Sequence, residues 1–301
     1  MEKRSARRLT LTVPPEQDGV KVDALLRRTL GLSGTLVKKA KRLTDGILLD
    51  GRPVWVTASA RAGQTLSVLV GDLPDAEGDI APAPGPLNIV YEDEDILILN
   101  KSAGVAMHPS PGHDTDTLGN FVVNYYNQCG HSPIFRPVNR LDKGTSGLLC
   151  AAQHAHAHEK LKEALHTPAF QRVYLAVCEG VLPARSGVID APIGREEGSS
   201  IRRTVCPDGL PAQTEYEVLS SAHGRSLVRL TLTTGRTHQI RVHMAHIGCP
   251  LTGDFLYGTE IEAISRPALH SHQLTLCHPV TGQQMSWMAP LPDDMARLLE
   301  V

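Results

Sequence analysis

Aromatic residues are scarce, at 4% of 301, and no stretch approaches the roughly 18 consecutive apolar residues that a membrane helix needs. No membrane location is therefore expected. The basic start, MEKRSARRLTLTV, lacks the apolar run of a signal peptide, so the cytoplasm is the expected compartment. The six cysteines stand at least 21 residues apart and include no CxxC pair. That excludes a zinc knuckle and a thioredoxin-like motif and leaves reduced, mostly buried thiols. Walker A, GxGxxG and G-x-S-x-G signatures are missing too, which removes the common nucleotide-binding loops and the hydrolase nucleophile elbow.

What is present is enough apolar material for a core, 41% of a chain long enough for more than one domain. The net charge of −2 hides a division: residues 1–70 carry 13 Lys/Arg against 6 Asp/Glu, and the remainder carries 17 against 26. A basic first segment points to a polyanionic partner, the rival reading being a merely solvated face. DLPDAEGDIAPAPGP (72–86) is rich in Pro, Gly and acid without apolar periodicity, and reads as a linker. The expected organisation is a small domain over 1–71, this linker, and a large domain over 87–301.

Before the linker, Val22, Leu25, Leu26 and Leu30 fall at helical spacing, as do Leu36, Val37, Ala40 and Leu43. Gly31 and Ser33 between them suit a helix stop and an N-cap. Lys38, Lys41 and Arg42 form a row of cations on the second helix. GILLDGRPVWV predicts a hairpin around Asp50-Gly51, and a further strand follows near Leu66–Val70. This layout resembles the small alpha-L RNA-binding domain of ribosomal small-subunit proteins, in which a row of cations faces backbone phosphates. It departs from that pattern at Gly34 and Thr35, where an arginine is common after the serine.

Beyond the linker, NIVYEDEDILILNK predicts two strands around an acidic turn, and TLGNFVVNYYNQC an amphipathic helix. Residues 153–166 predict a second helix, and FQRVYLAVCEG and RSLVRLTLTTGR predict strands. THQIRVHMAHIG reads as a helix capped by Thr237 and stopped by Gly248, and MSWMAPLPDDMARLLE as a strand with a short helix. Without regular βαβ alternation the expected class is α+β, around a largely antiparallel mixed sheet flanked by helices and loops.

The stretch RPVNRLDKGTSGLLCAAQ (136–153) carries the chemistry. Asp142 stands in a glycine-containing polar loop before an apolar strand, a sound mount for a nucleophile. From spacing alone, an Asp-Lys pair in a turn is more often a solvated ion pair. NRLDKGTSGLL, however, resembles the signature loop of the RluA-type pseudouridine synthases, commonly H-R-L-D-x-x-T-S-G-L. Three more segments agree in order and spacing. VYEDEDILILNKSAGVAMHP resembles the family's first strand pair and Lys-Pro-Ala-Gly loop, with Ser102 in place of the proline. FQRVYLAVCEG resembles its K/R-x-Y-x-A strand, and TGRTHQIRVHMAHIGCPLTGDFLYG its most extended motif. The resemblance spans residues 87–290.

The resemblance implies an RNA pseudouridine synthase without cofactor or metal, in which Asp142 is the catalytic aspartate, Tyr174 the active-site tyrosine and Arg241 the basic partner of the aspartate. It places Arg140, with Asn139 and Leu141 beside it, against the substrate, Arg140 taking part in flipping the nucleotide; Lys38, Lys41 and Arg42 would hold RNA. Asn139 stands where His is usual and cannot be charged. The reaction breaks the bond between ribose and base nitrogen, turns the uracil and rejoins it through carbon. The carboxylate can attack either the anomeric carbon or the uracil ring. Tyr174 offers a ring to stack on uracil and a hydroxyl near carbon 5. A stacked base must first be extruded, and a planar guanidinium can fill the vacancy. Nothing is oxidised or reduced.

Other motifs read blandly. His154, His156 and His158 are expected to be exposed at a helix start, since only the outer pair shares a face and no third ligand follows. His238, His243 and His246 imply no metal either. Two rival functions remain: an inactive RNA-binding or assembly factor, and a carboxylate-dependent N-glycosidase or hydrolase, which needs a second carboxylate to activate water. The expected partner is ribosomal or transfer RNA, met by a monomer.

Overall fold

The computed structural model describes residues 6–73, 76–132 and 134–300. Pro74 and Asp75 of the expected linker lie outside the described residues, as do Lys3 and Arg4 of the basic start.

The first part of the chain forms a four-stranded antiparallel sheet. It comprises β1 (Arg8–Thr12), β2 (Ile47–Leu49), β3 (Arg52–Pro53) and β4 (Thr65–Leu69), in the order β1-β4-β2-β3. The expected hairpin is β2–β3, and Asp50 and Gly51 at its tip both take positive φ, 50° and 76°. That is the geometry whose twist matches flanking strands. The Asp50 carboxylate ties the tip to β4 through the Thr65 N–H at 2.8 Å. β1 was not anticipated; it completes the sheet by pairing with β4. The first expected helix starts as α1 (Val22–Ala24) and continues as a π-turn, Leu25–Thr29. Ser33 caps α2 (Gly34–Lys41) by accepting the Leu36 N–H. Val22, Leu25, Leu26, Val37 and Ala40 are buried against Ile47, Leu66 and Val68 as one core.

The second part is built on a ten-stranded sheet. β5 (Ile89–Glu92) and β6 (Ile96–Lys101) are followed by α3 (Leu118–Cys129), β7 (Arg136–Pro137), β8 (Ser146–Ala152) and α4 (Ala155–Ala164). Then come β9 (Phe170–Glu179), β10 (Ser186–Asp190), and a separate hairpin of β11 (Ile193–Arg195) and β12 (Arg203–Val205). β13 (Gln213–Ala222), β14 (Arg225–Leu232), α5 (Gln239–His246), β15 (Leu269–Cys277), β16 (Gln284–Met288) and α6 (Asp293–Ala296) complete it. The strand order is β10-β13-β14-β9-β15-β8-β6-β5, with β16 beside β15 and β7 beside β8.

The class is α+β and the sheet largely antiparallel, as expected. The parallel exception is β8 against β15, where His270 and Ser271 face Ser146 and Gly147. Gly147 is required there: its φ is +111°, and a Cβ would lie 2.3 Å from the Ser271 carbonyl oxygen. β6 and β8 read as unbroken apolar runs because both their faces are covered. Leu97, Leu99, Leu149 and Ala151 meet α3 on one side; Ile96, Ile98, Leu148 and Cys150 meet Ala157 and Leu161 of α4 on the other. A Thr117–Asn120 capping box starts α3 and left-handed Gly130 ends it.

Ion pairs tie the parts together. Arg7 donates to both oxygens of Asp95, at 2.9 and 3.2 Å, and Arg136 lies 2.8 Å from Asp72.

Two expectations are corrected. The QHAHAHE histidines do begin a helix, but they are not exposed: His154 and His156 are buried. His154 is itself the N-cap, accepting the Ala157 N–H, and its Nε2 reaches Asp95 at 2.8 Å. A buried carboxylate, supplied from the turn between β5 and β6, draws the ring inward. The second correction concerns α5. Thr237 does not cap it; His238 occupies the N-cap position at φ 60° without a side-chain bond. The Gln239 side chain instead accepts the Arg236 N–H of the preceding loop at 2.9 Å. Gly248, at φ +79°, follows the helix end as expected.

Candidate active site

The signature loop leaves β7, passes Asn139–Lys143 and enters β8. Leu141 is buried in the main core, and the Thr145 N–H closes a turn on the Asp142 carbonyl at 3.0 Å. Asp142 is thereby lifted out of the core with its carboxylate one-third exposed. The Gly104 N–H bonds the Lys143 carbonyl at 2.8 Å, joining this loop to the one after β6. Lys101 joins the same two loops from inside. Its ammonium donates to the carbonyls of Ser102 and Val105 at 2.9 Å and of Lys143 at 3.3 Å. Burial pushes Lys101 down to about 7, against the pull of Asp142; three carbonyls match the three N–H groups of the charged form.

Arg241 arrives from α5. Its Nε and Nη2 each lie 2.7 Å from an oxygen of the fully buried Asp254, and the Tyr257 ring lies 5.1 Å from its carbon centre. The fork leaves Nη1 to face Asp142 at 3.8 Å. Burial works against the charge, but Asp254 outweighs it and holds Arg241 above the usual arginine value. His238 Nε2 lies 3.9 Å from the same Asp142 oxygen, and its Nδ1 lies 2.9 Å from the Tyr257 hydroxyl. That hydroxyl already accepts the Arg203 N–H at 2.8 Å, so its own proton is available to Nδ1. In that tautomer Nε2 carries the hydrogen that faces Asp142. Burial lowers His238 below the usual histidine value and favours the neutral ring.

Tyr174 sits on β9 between Leu230 of β14 and Ser271 of β15. It is buried, and burial raises its hydroxyl above the usual tyrosine value. These residues line a cleft of about 590 Å³. Asp142 is the one acid among its described lining residues, against six cations: Arg140, Lys143, Lys162, Arg172, Arg236 and Arg241.

The residues expected from the sequence are divided by the fold. Asp142, Tyr174, Arg241, Arg140, Asn139 and Leu141 all border this cleft. Arg140 is exposed at its edge. Asn139 is buried; its side-chain oxygen accepts the Cys150 N–H at 2.9 Å, and its amide nitrogen has no partner among the described residues. Lys38, Lys41 and Arg42 are exposed on α2 and lie outside the cleft. Sequence reasoning passed over Asp254, Tyr257, Lys101 and Arg172, and weighed His238 only as a metal ligand. Asp254 and Tyr257 lie within the TGDFLYG run, but nothing local marks which acid there meets which arginine.

The three residues that could share a metal ion among those described, Asp93, Asp95 and His278, do not fit that use. Arg7 and His154 engage Asp95, while Tyr91 and two backbone N–H groups engage Asp93.

A cleft in which Asp142 is the one acid among the described lining residues, facing six cations, suits a polyanionic substrate. The chain belongs to the RNA pseudouridylate synthase family, whose profile matches residues 95–246. It is similar to ribosomal large subunit pseudouridine synthase D of Escherichia coli, at 36% identity over 97% of this chain and 94% of that one. An uncharacterised RNA pseudouridine synthase of Bacillus subtilis, YjbO, is 40% identical over 90% of this chain and 95% of its own. Among solved structures, human RNA pseudouridylate synthase domain containing 1 matches with TM-score 0.56 and 28% identity, over 69% of this chain and 85% of that one. The protein is accordingly an RNA pseudouridine synthase, an isomerase with RNA as substrate. No described helix is long and apolar enough to cross a membrane.

Proposed function

We propose that this enzyme converts uridine to pseudouridine in large-subunit ribosomal RNA, with Asp142 as its nucleophile. The observation that carries the reading is the setting of Asp142: the one acid among the described residues of a cationic cleft, 3.8 Å from an arginine whose other nitrogens are taken by a buried aspartate. The near full-length similarity to the Escherichia coli ribosomal large subunit enzyme supports the choice of RNA.

In this reading the cleft draws in the RNA backbone, the target base turns out of its stack, and exposed Arg140 fills the gap. Tyr174 lies under the uracil ring. Asp142 then attacks the ribose or the base, the glycosidic bond breaks, the base turns, and a carbon–carbon bond forms. Tyr174 holds its proton tightly, so its hydroxyl serves as a donor; Asp142, released as the intermediate collapses, accepts the proton from carbon 5. Electrons balance without a redox step, so no cofactor is needed. Arg241 and the His238 N–H steady the carboxylate on either side.

Residues 1–71 are read as an alpha-L-like RNA-binding domain, supported by the exposed row of Lys38, Lys41 and Arg42. The same reading has the enzyme act as a monomer in the cytoplasm. Pseudouridine mapping of total RNA from cells with and without the gene tests the reading. Loss of a large-subunit site is expected; loss confined to transfer RNA overturns the target, and no loss overturns the activity.

A further inference from the structure

Three arginines are buried among the described residues: Arg172, Arg241 and Arg266. Arg241 lies on Asp254 and Arg266 on Asp294, each through two hydrogen bonds. Arg172, 5% exposed, meets no carboxylate among the described residues. Its Nη2 makes long contacts of 3.5 Å to the carbonyls of Leu165 and Thr234, and its Nε is buried without a partner. A guanidinium taken from water without a counter-charge is costly, so its setting calls for an anion.

Arg172 is two residues before Tyr174 on β9, hence on the same face of the sheet, and both line the active-site cleft. Other cations gather around it. The loop of Gly235 and Arg236 passes so close that a Cβ on Gly235 would lie 3.0 Å from Arg172 Nη1 and 3.7 Å from His166 Cε1. Lys162 of α4 borders the same cleft, as do Arg236 and Arg140. Beyond burial, the charges that act most on Lys162 are Arg140 and Arg172, and those on His166 are Arg172, Arg236 and Lys162. All carry one sign. Like charges crowded in one cleft, with no carboxylate among the described residues to pair with them, are the signature of a site completed by its ligand.

We propose that Arg172, Lys162 and Arg236 form a phosphodiester-binding site that grips the RNA backbone next to the extruded uridine. Arg172 supplies a fixed fork at the bottom, and Lys162 and Arg236 close over it from α4 and the loop before α5. This site rests on the reading of the cleft as the place of uridine isomerisation, and it adds the contact that sets the strand's position above Tyr174.

The test uses the full chain and a synthetic fragment of large-subunit ribosomal RNA containing the uridine found by mapping. A single neutral methylphosphonate replaces each linkage flanking that uridine in turn. The wild type is expected to lose about fivefold or more in affinity at one linkage. In a Lys162→Ala, Arg236→Ala double variant, whose changes are at the protein surface, the same linkage should cost less than about twofold. Arg172→Gln should show the same loss of discrimination if it folds; the double variant decides if it does not. A flat scan, or a penalty that persists undiminished in the double variant, overturns the site. Absence of pseudouridine from the unsubstituted fragment with wild type would instead overturn the reading of the cleft, which the binding scan does not depend on.

Discussion

Lys38 and Lys41 of α2 and Arg42 at its C-terminal end stand in solvent, whereas Arg172 and Arg241 are buried in the cleft wall and Lys101, behind the Asp142 loop, is 2% exposed. The two regions use the same residue types under different physics. An exposed cation acts through water and salt, which screen it within about 8 Å at physiological ionic strength. A buried one is screened little, must be answered by a partner, and is therefore fixed in direction. Asp254 aims Arg241, and three carbonyls pin Lys101. Cation counts alone do not distinguish the two, yet one set suits grip and the other orientation.

The comparison breaks first at Asp142. Asp142→Asn keeps the volume and removes the nucleophile, so turnover should fall by about 10⁴ or more while RNA affinity stays within about threefold. Tritium release from labelled uridine measures this. Activity of a tenth of wild type would sink the assignment and leave the cleft a binding surface like α2.

Arg241→Met should cost both stability and rate, which no α2 cation should do. It leaves Asp254 buried and unpaired, worth about 3 kcal/mol in urea denaturation, and should lower kcat at least about tenfold. Lys41→Met is the matched control and should leave the urea midpoint unmoved. Equal midpoints for the two would erase the distinction drawn here.

Between the regions lies Asp95, held down to about 2 against its own burial by hydrogen bonds from His154 and Arg7 and by their charge. A depressed carboxylate contributes stability above its unfolded value and loses it as pH falls through the folded one. Stability should therefore drop by about 2 kcal/mol between about pH 4 and pH 2 on this account alone. Asp95→Asn should flatten that segment of the pH profile, and an unaltered slope would show that the bridge does not hold the carboxylate.

Tyr174→Phe retains the ring and removes the hydroxyl. RNA should bind normally and the single-turnover rate should fall about tenfold. A normal rate would reduce Tyr174 to a stacking surface.

The smallest effect is expected at α2. Replacing Lys38, Lys41 and Arg42 by Ala should flatten the salt dependence of binding to structured RNA, by roughly 0.7–0.9 in the log–log slope per lost phosphate contact. An identical slope would leave that face merely solvated.

Much of this molecule was legible in its residues because the signals act over a few positions. The Asp50-Gly51 turn, the Ser33 cap, the Gly248 stop and the glycine-rich mount of Asp142 depend on local dihedrals and nearby N–H groups, which a short stretch of sequence states outright. The α+β class followed from the order of such segments. One failure was of this scale, the missing Thr237 cap of α5, and the other was not: His154 is drawn inward by Asp95, 59 residues away.

What the tertiary structure alone decided is which charges share a buried space. Asp95 meets His154 and Arg7 across 59 and 88 residues, and Tyr257 meets Arg203 across 54. Lys101 reaches the carbonyl after Asp142 from 42 residues upstream. The same fold leaves Arg172 without a carboxylate among the described residues. A sequence lists charges without their dielectric: burial turns one arginine into a paired strut, another into a guanidinium awaiting an anion, and leaves a third in water.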